Sequence, residues 1–200
     1  MAGKLKLTGK IAEIALNMLL ETCKVFEKHQ IKYILEGGTL LGIIRENRLL
    51  PWDNDLDLTI REEDLEELLK SRWDLWKKGF RTRVRYYKED VGPFKKGEVK
   101  IIKIQTRKYL IFKGFTLLDV FIKKRVNDQY FWTVGGKKIV LKSAPANFYE
   151  DLKDVEFNGH NYSIPKQVED YLTYRYGEWK KPQKDYNYTK DDKAIVDKGE

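Results

Sequence analysis

Asp53, Asp55 and Asp57 stand at alternate positions in EGGTLLGIIRENRLLPWDNDLDLTI (residues 36–60), directly after Pro51-Trp52 and ahead of an apolar run. No other feature restricts the fold so strongly. Pro51 cannot continue a helix, because its ring fixes φ and removes an N–H donor. The residues after it therefore read as extended backbone, in which alternate side chains point the same way. The three carboxylates then share one face, and Asn54, Leu56 and Leu58 share the other. Such a row repels itself unless it is solvated or neutralised by a cation. Hard oxygen ligands at this spacing suit Mg²⁺ or Mn²⁺, which take few carboxylates and keep positions for phosphate oxygens. An EF-hand loop also opens D-x-D-x-D, but it needs glycine at the sixth position and glutamate at the twelfth. Here those positions hold Leu58 and Asp64, so the calcium reading fails.

A second carboxylate supports a site. Asp119 lies in TLLDVFI with apolar neighbours on both sides. A carboxylate is rarely buried there without a partner. On a strand adjacent to the aspartate row it completes a three-acid site, either orienting or deprotonating a substrate hydroxyl. The donor side is supplied by Gly37, Gly38 and Thr39, which follow the buried strand IKYILE. Glycines after a strand allow close backbone approach, and the helix start that follows offers free N–H groups to a phosphate. This is not a P-loop, since Ile43-Ile44 occupy the Lys-Ser/Thr positions. Arg45 and Arg48 are further candidates for clamping phosphate oxygens. Trp52 is expected to pack beneath the acidic strand, and His160 to lie in a turn.

The remaining pattern is α+β. Thr8 caps a helix over roughly residues 9–29, TLLGIIREN is a short helix started by Thr39, and REEDLEELLKSR is amphipathic and acidic. From about residue 79 the period becomes two, giving FRTRVRYY, EVKIIKIQTR, FTLLDVFIKKR, YFWTV and KKIVLK as strands. A last helix covers Gln167–Tyr176 and stops at Gly177. One domain over residues 1–185 accounts for all of these, with 186–200 as a polar C-terminal tail.

Hydrophobic residues at 42% suffice for a core. One cysteine, Cys23, permits no internal disulfide and fits a reducing, cytoplasmic setting. The net charge of +8 is uneven: residues 51–70 carry eight acids and two bases, residues 91–150 thirteen bases and four acids. A basic field suits nucleotide phosphates, nucleic acid or an anionic membrane surface.

A strand, Gly-Gly-Thr, a short helix and a D-x-D strand in succession resemble the nucleotidyltransferase fold, a mixed β-sheet flanked by helices. The whole segment 36–60 closely resembles LicD-type phosphotransferases, which include the fukutin-related enzymes. LLDVFI is similar to that family's second acidic strand, and YLTYRYGEWKKP to its closing helix. The resemblance puts Asp55 and Asp57 on the metal-binding pair, Asp53 on the first acid and Asp119 on the later acid. Gly37, Gly38, Thr39 and Arg45 fall on the nucleotide-binding and phosphate-binding loop and helix. Two departures stand out: Asn54 replaces an aspartate of many relatives, and the cysteine-rich zinc insertion of some animal relatives is absent.

The resemblance implies Mg²⁺- or Mn²⁺-dependent transfer of a substituted phosphate, such as phosphocholine or an alditol phosphate. The donor is CDP-linked and the acceptor a hydroxyl of a glycan or glycolipid. A peripheral membrane contact is compatible with it, and nucleic acid is not the expected partner. Two rivals are nucleotidyl transfer from an NTP to a small molecule, protein or RNA, and a non-catalytic polyanion-binding module.

Overall fold

The computed structural model describes residues 5–109, 112–136, 138–183 and 186–197. Helix α1 (Gly9–Lys28) buries the stripe Ala15, Met18, Leu19, Thr22, Val25 and Phe26, the three-to-four spacing of an amphipathic helix. Thr8 occupies its N-cap position but makes no side-chain capping bond. Strand β1 (Tyr33–Glu36) leads into α2 (Gly37–Glu46), then β2 (Leu56–Arg61), a short 3₁₀ turn and α3 (Leu65–Lys77). The strands β3 (Phe80–Tyr86), β4 (Val99–Lys108), β5 (Phe112–Val126), β6 (Gln129–Val134) and β7 (Val140–Pro145) follow. The chain ends with α4 (Asn147–Glu150), a β8–β9 hairpin (Leu152–Phe157, His160–Pro165), α5 (Val168–Tyr176) and β10 (Ile195–Asp197).

The sheet runs β1-β2-β5-β6-β7-β10, with β4 also on β5 and β3 at the free edge of β4. Among the described residues only β2 and β5 pair in parallel; the other pairings of this sheet are antiparallel. This is the α+β mixed sheet with flanking helices that the sequence pattern suggests. On β2 and β5 the two faces differ sharply. Leu56, Leu58, Ile60, Leu118, Val120 and Ile122 form an apolar set in the core. The intervening positions carry Asp57, Thr59, Asp119 and Lys123, and they build the site.

Three local findings differ from the sequence expectations. Helix α2 starts at Gly37 rather than Thr39, because the Glu36 carboxylate accepts the Gly37 N–H and caps the helix two residues earlier. The β8–β9 hairpin was not anticipated; its strands are polar, and the signal for it is Asn158-Gly159, both at positive φ, a two-residue turn. His160 opens β9 and faces Glu27, 3.0 Å from its carboxylate. Residues 186–197, expected as part of a loose tail, are docked instead. β10 pairs with β7, the Ser143 N–H donates to the Ala194 carbonyl, and Asp192 is buried between Arg175 and Lys142. Residues 198–200 lie outside the described part. Among the described residues no helix is long and apolar enough to cross a membrane.

Candidate active site

Sheet register places four ionisable side chains in one row. Glu36 on β1 pairs with Asp57 on β2, Asp57 with Asp119 on β5, and Asp119 with Lys103 on β4. Partners in register point to the same face, and neighbouring strands lie about 4.8 Å apart, so the row is continuous across four strands. Asp53 and Asp55 precede β2 in a turn rather than on the strand. The turn is fixed by Asp53 N–H donating to the Leu50 carbonyl and Leu7 N–H to the Asp53 carbonyl, both near 3 Å. Despite that, Asp53, Asp55, Asp57 and Asp119 converge on one cleft of about 650 Å³.

The electrostatics of this cluster are unbalanced. Burial pushes Asp57 well above the usual carboxylate range, and Asp55, Asp53 and Asp119 push it further. Asp55 is raised to about 7, first by burial and then by Asp119 and Asp53. Burial also raises Asp53 and Asp119, the latter partly offset by Lys103, which donates a very short hydrogen bond to it. The other Asp119 oxygen is buried and has no hydrogen-bond partner among the described residues.

Gly37 and Gly38 lie directly against the acids. A Cβ on Gly37, which is also at φ +56, would overlap the Asp57 carboxylate, and one on Gly38 would overlap that of Asp53. The glycines thus admit the two acids to the start of α2, where the helix dipole favours negative charge. Thr39 is buried and its hydroxyl accepts the Asp57 N–H at 2.9 Å, so it pins β2 to α2. Arg45 lines the cleft, but its guanidinium is held by the Glu46 carboxylate and the Trp179 carbonyl. Arg48 is exposed and also paired with Glu46. Trp52 is not beneath the acids: it is half-exposed on the cleft wall, facing the Arg45 guanidinium.

Sequence reasoning missed the cations. Lys103, in contact with Asp119, and Lys100, held by the Gly135 carbonyl, line the cleft together with the acids. Burial, and after it Lys103, lowers the Lys100 pKa. Deeper in, Glu36 accepts from Lys123, Arg175, Thr59 and Tyr171. Arg175 and Lys142 in turn hold Asp192 at 2.7 Å. Burial alone would raise Glu36, but Lys123 and Arg175 outweigh it and hold the group well below the usual carboxylate range. The available signal was spacing: Lys123 is four residues after Asp119 and therefore on the same strand face.

Among the described residues no group of three or more His, Cys, Asp or Glu side chains is arranged to enclose a metal ion as it stands. The donor set is nevertheless of the hard oxygen type that Mg²⁺ takes, and the orphaned Asp119 oxygen is a vacant acceptor beside it.

Comparison with known proteins is consistent with this geometry. The family described as LicD/FKTN/FKRP, nucleotidyltransferase domain, matches residues 30–167. An uncharacterized protein of Rickettsia prowazekii is 28% identical over 187 residues, covering 89% of this chain and 59% of that protein. The lipopolysaccharide cholinephosphotransferase LicD of Haemophilus influenzae is 33% identical over 63 residues, 32% of this chain and 22% of its own length. The human ribitol 5-phosphate transferase FKRP is 44% identical over 54 residues, 25% of this chain and 11% of its own. The chain thus spans less than two thirds of each of these relatives.

Proposed function

Since the chain belongs to the LicD/FKTN/FKRP nucleotidyltransferase-domain family, we propose that it transfers a substituted phosphate from a CDP-linked donor to a glycan hydroxyl. The observation that carries this reading is the in-register row of Asp57, Asp119 and Lys103 beside Asp53 and Asp55. The relatives named for cholinephosphate and ribitol 5-phosphate transfer support the class of group moved.

Asp55 and Asp57 would hold a Mg²⁺ or Mn²⁺ ion, with the orphaned Asp119 oxygen close by. Bound there, such an ion neutralises the donor diphosphate and the charge that develops on departing CMP. The protein does the rest. Asp119, in contact with Lys103, orients the acceptor hydroxyl and takes its proton as the new O–P bond forms; Asp53 is the second choice for that role. The bond that breaks joins the two donor phosphorus atoms through oxygen, and CMP leaves with the electron pair. Lys103 and Lys100 line the same cleft and would offset charge on the anionic donor.

The test is product analysis with Mg²⁺ and CDP-choline or CDP-ribitol. Release of CMP, lost in Asp57→Asn, is expected. Pyrophosphate release from an NTP with no CMP from either donor would make the protein a nucleotidyltransferase instead.

A further inference from the structure

The in-register row does not stop at Lys103. Lys103 on β4 pairs with Arg83 on β3, so the row reads Glu36, Asp57, Asp119, Lys103, Arg83 across five strands. Arg81 and Arg85, two residues to either side of Arg83, share its face. A contact on the opposite side confirms that orientation. Thr82, at an intervening position, accepts a hydrogen bond from Arg72 of α3, so α3 lies on the other face of β3.

Arg83 and Arg85 are exposed and Arg81 is half-buried. No salt bridge or side-chain hydrogen bond ties any of the three to another described residue. The strand itself, FRTRVRY, holds no acid. A slip in register adds a further cation nearby. Arg85 pairs with Ile101 but Tyr86 with Val99, which leaves Lys100 as the extra residue of a bulge. Bulges re-aim side chains, and Lys100 and Lys103, three apart on one strand, both line the cleft. Charged edge strands also keep sheets from pairing edge to edge, but protection of that kind needs no particular face. These arginines all stand on the face of the acids.

We infer that Arg81, Arg83 and Arg85 form a subsite for an anionic acceptor, a glycan whose phosphate or carboxylate groups they bind as its hydroxyl reaches Asp119. This rests on the reaction proposed above. Phosphoryl transfer sets the attacking and leaving oxygens roughly in line. With the donor diphosphate at Asp55, Asp57 and the start of α2, the attacking hydroxyl comes from the side of Asp119 away from Asp57. That is the side of Lys103 and β3. Arg83 stands two strands from Asp119, about 10 Å, so neighbouring units of a glycan held at Asp119 lie over the arginines. Guanidinium groups take anionic oxygens in pairs, and alternate residues space them about 7 Å apart along β3. Single-stranded nucleic acid fits this face less well. Bases need rings to stack on, and β3 and β4 present none there.

The experiment is binding, by fluorescence anisotropy, of labelled pentamannose phosphate, the same glycan after phosphatase treatment, and a galacturonate oligomer. It is run on the Asp57→Asn protein, so no turnover is needed. One or both anionic glycans are expected to bind, the neutral one at least about tenfold more weakly, and the tighter arm identifies the anionic group. Arg83→Gln with Arg85→Gln should weaken binding on the order of a hundredfold, about tenfold for each charged hydrogen bond lost. Lys153→Gln with Lys166→Gln, an equal loss of charge at the separate β8–β9 hairpin, should change it by less than about threefold. The bound anionic glycan should also move the Asp119 carboxyl carbon resonance. No preference for either anionic glycan, indifference to the arginine variant, or an equal loss in the lysine variant would each overturn the inference. So would tighter binding of single-stranded RNA of equal charge, or an unmoved Asp119 signal. Absent CMP release in the unmodified protein would count against the proposed reaction and leave these binding readouts intact.

Discussion

Two charged centres share one face of the sheet, and Glu36 and Asp57, paired in register, mark the border between them. On the Glu36 side, two buried carboxylates meet three buried cations, Lys123, Arg175 and Lys142, with Tyr149 and Tyr171 supplying hydroxyls. On the Asp57 side, four carboxylates face Lys103, and the acids are raised by burial and by one another. Buried ions are tolerated when they are paired and hydrogen-bonded, and the first centre meets that condition. The second sets four carboxylates beside Lys103, and such an excess of acid lining a cleft is what a positively charged ligand would complete. One centre holds the C-terminal segment to β1; the other presents an excess of acid to the cleft.

Substituting Arg175 should break the balanced centre. Arg175→Met leaves Glu36 to Lys123 and Asp192 to Lys142 but removes the charged hydrogen bonds that tie the two carboxylates together, which costs about 1.5–3 kcal/mol. Chemical denaturation measures it, and a loss below about 1 kcal/mol would mean the network is not worth its burial. The same kind of removal in the unbalanced centre should act in the opposite sense. Asp57→Asn is expected to raise the melting temperature without divalent ions, since it relieves repulsion, while lowering turnover about a thousandfold. Mg²⁺ should raise the melting temperature of the unmodified protein by mass action and have little effect on Asp57→Asn. A destabilised Asp57→Asn would show that its charge is already compensated in the fold.

These two centres were unequally legible in the sequence. The acid cluster was visible because alternation along a strand is a local pattern, and Asp119 stood out against its apolar neighbours. Its partner Lys103 was not, because cross-strand register is set by turns and bulges far along the chain; β4 and β5 shift register twice between Ile104 and Arg107. The balanced centre was almost invisible. Glu36 reads as the polar end of a strand, Arg175 as a helix surface residue, and Asp192 as part of a charged tail; only tertiary packing brings them together. The same cause explains residues 186–197, whose composition is that of a tail but whose Asp192 and Ala194 are buried. Thr39 and the two glycines stand out after a strand in the sequence, whereas their packing against Asp57 and Asp53 has no local pattern.

Acid and neutral titration separate the two centres. Asp55, raised from 3.8 to about 7, keeps a proton in the folded state that the unfolded chain has lost. Its contribution is fully present below about pH 4 and disappears as the pH rises through 7. Glu36 is depressed below its ordinary 4.5, so its contribution is present above that value and is lost as the pH falls through the folded pKa. Stability in the absence of divalent ions should therefore decline from about pH 4 to 7, on the order of 1–3 kcal/mol. Asp55→Asn should reduce that decline, the remainder coming from Asp57, Asp53 and Asp119, and leave the acid limb unchanged. A curve that rises steadily from pH 4 to 7 in both proteins would place the proton elsewhere.

The smallest effect is expected at Lys103, the cation at the edge of the unbalanced centre. Its side chain is 28% exposed, whereas that of Lys123 in the balanced centre is 0% exposed. Water already shares in solvating Lys103, so Lys103→Gln should cost under about 1 kcal/mol, within the range of exposed ion pairs. Its electrostatic consequence is more specific. Lys103 pulls down the titrations of both Asp119 and Asp55. Without it, both should move upward in pH, and Asp119 more, since it loses a direct hydrogen bond as well as a nearby charge. Carboxyl carbon chemical shifts followed against pH read this residue by residue. With Asp119 titrating higher, the limb of the rate profile that reports the base should shift upward with it. Unmoved carboxyl titrations in Lys103→Gln would mean that the acids are balanced by another group, and the contrast between the two centres would lose its basis.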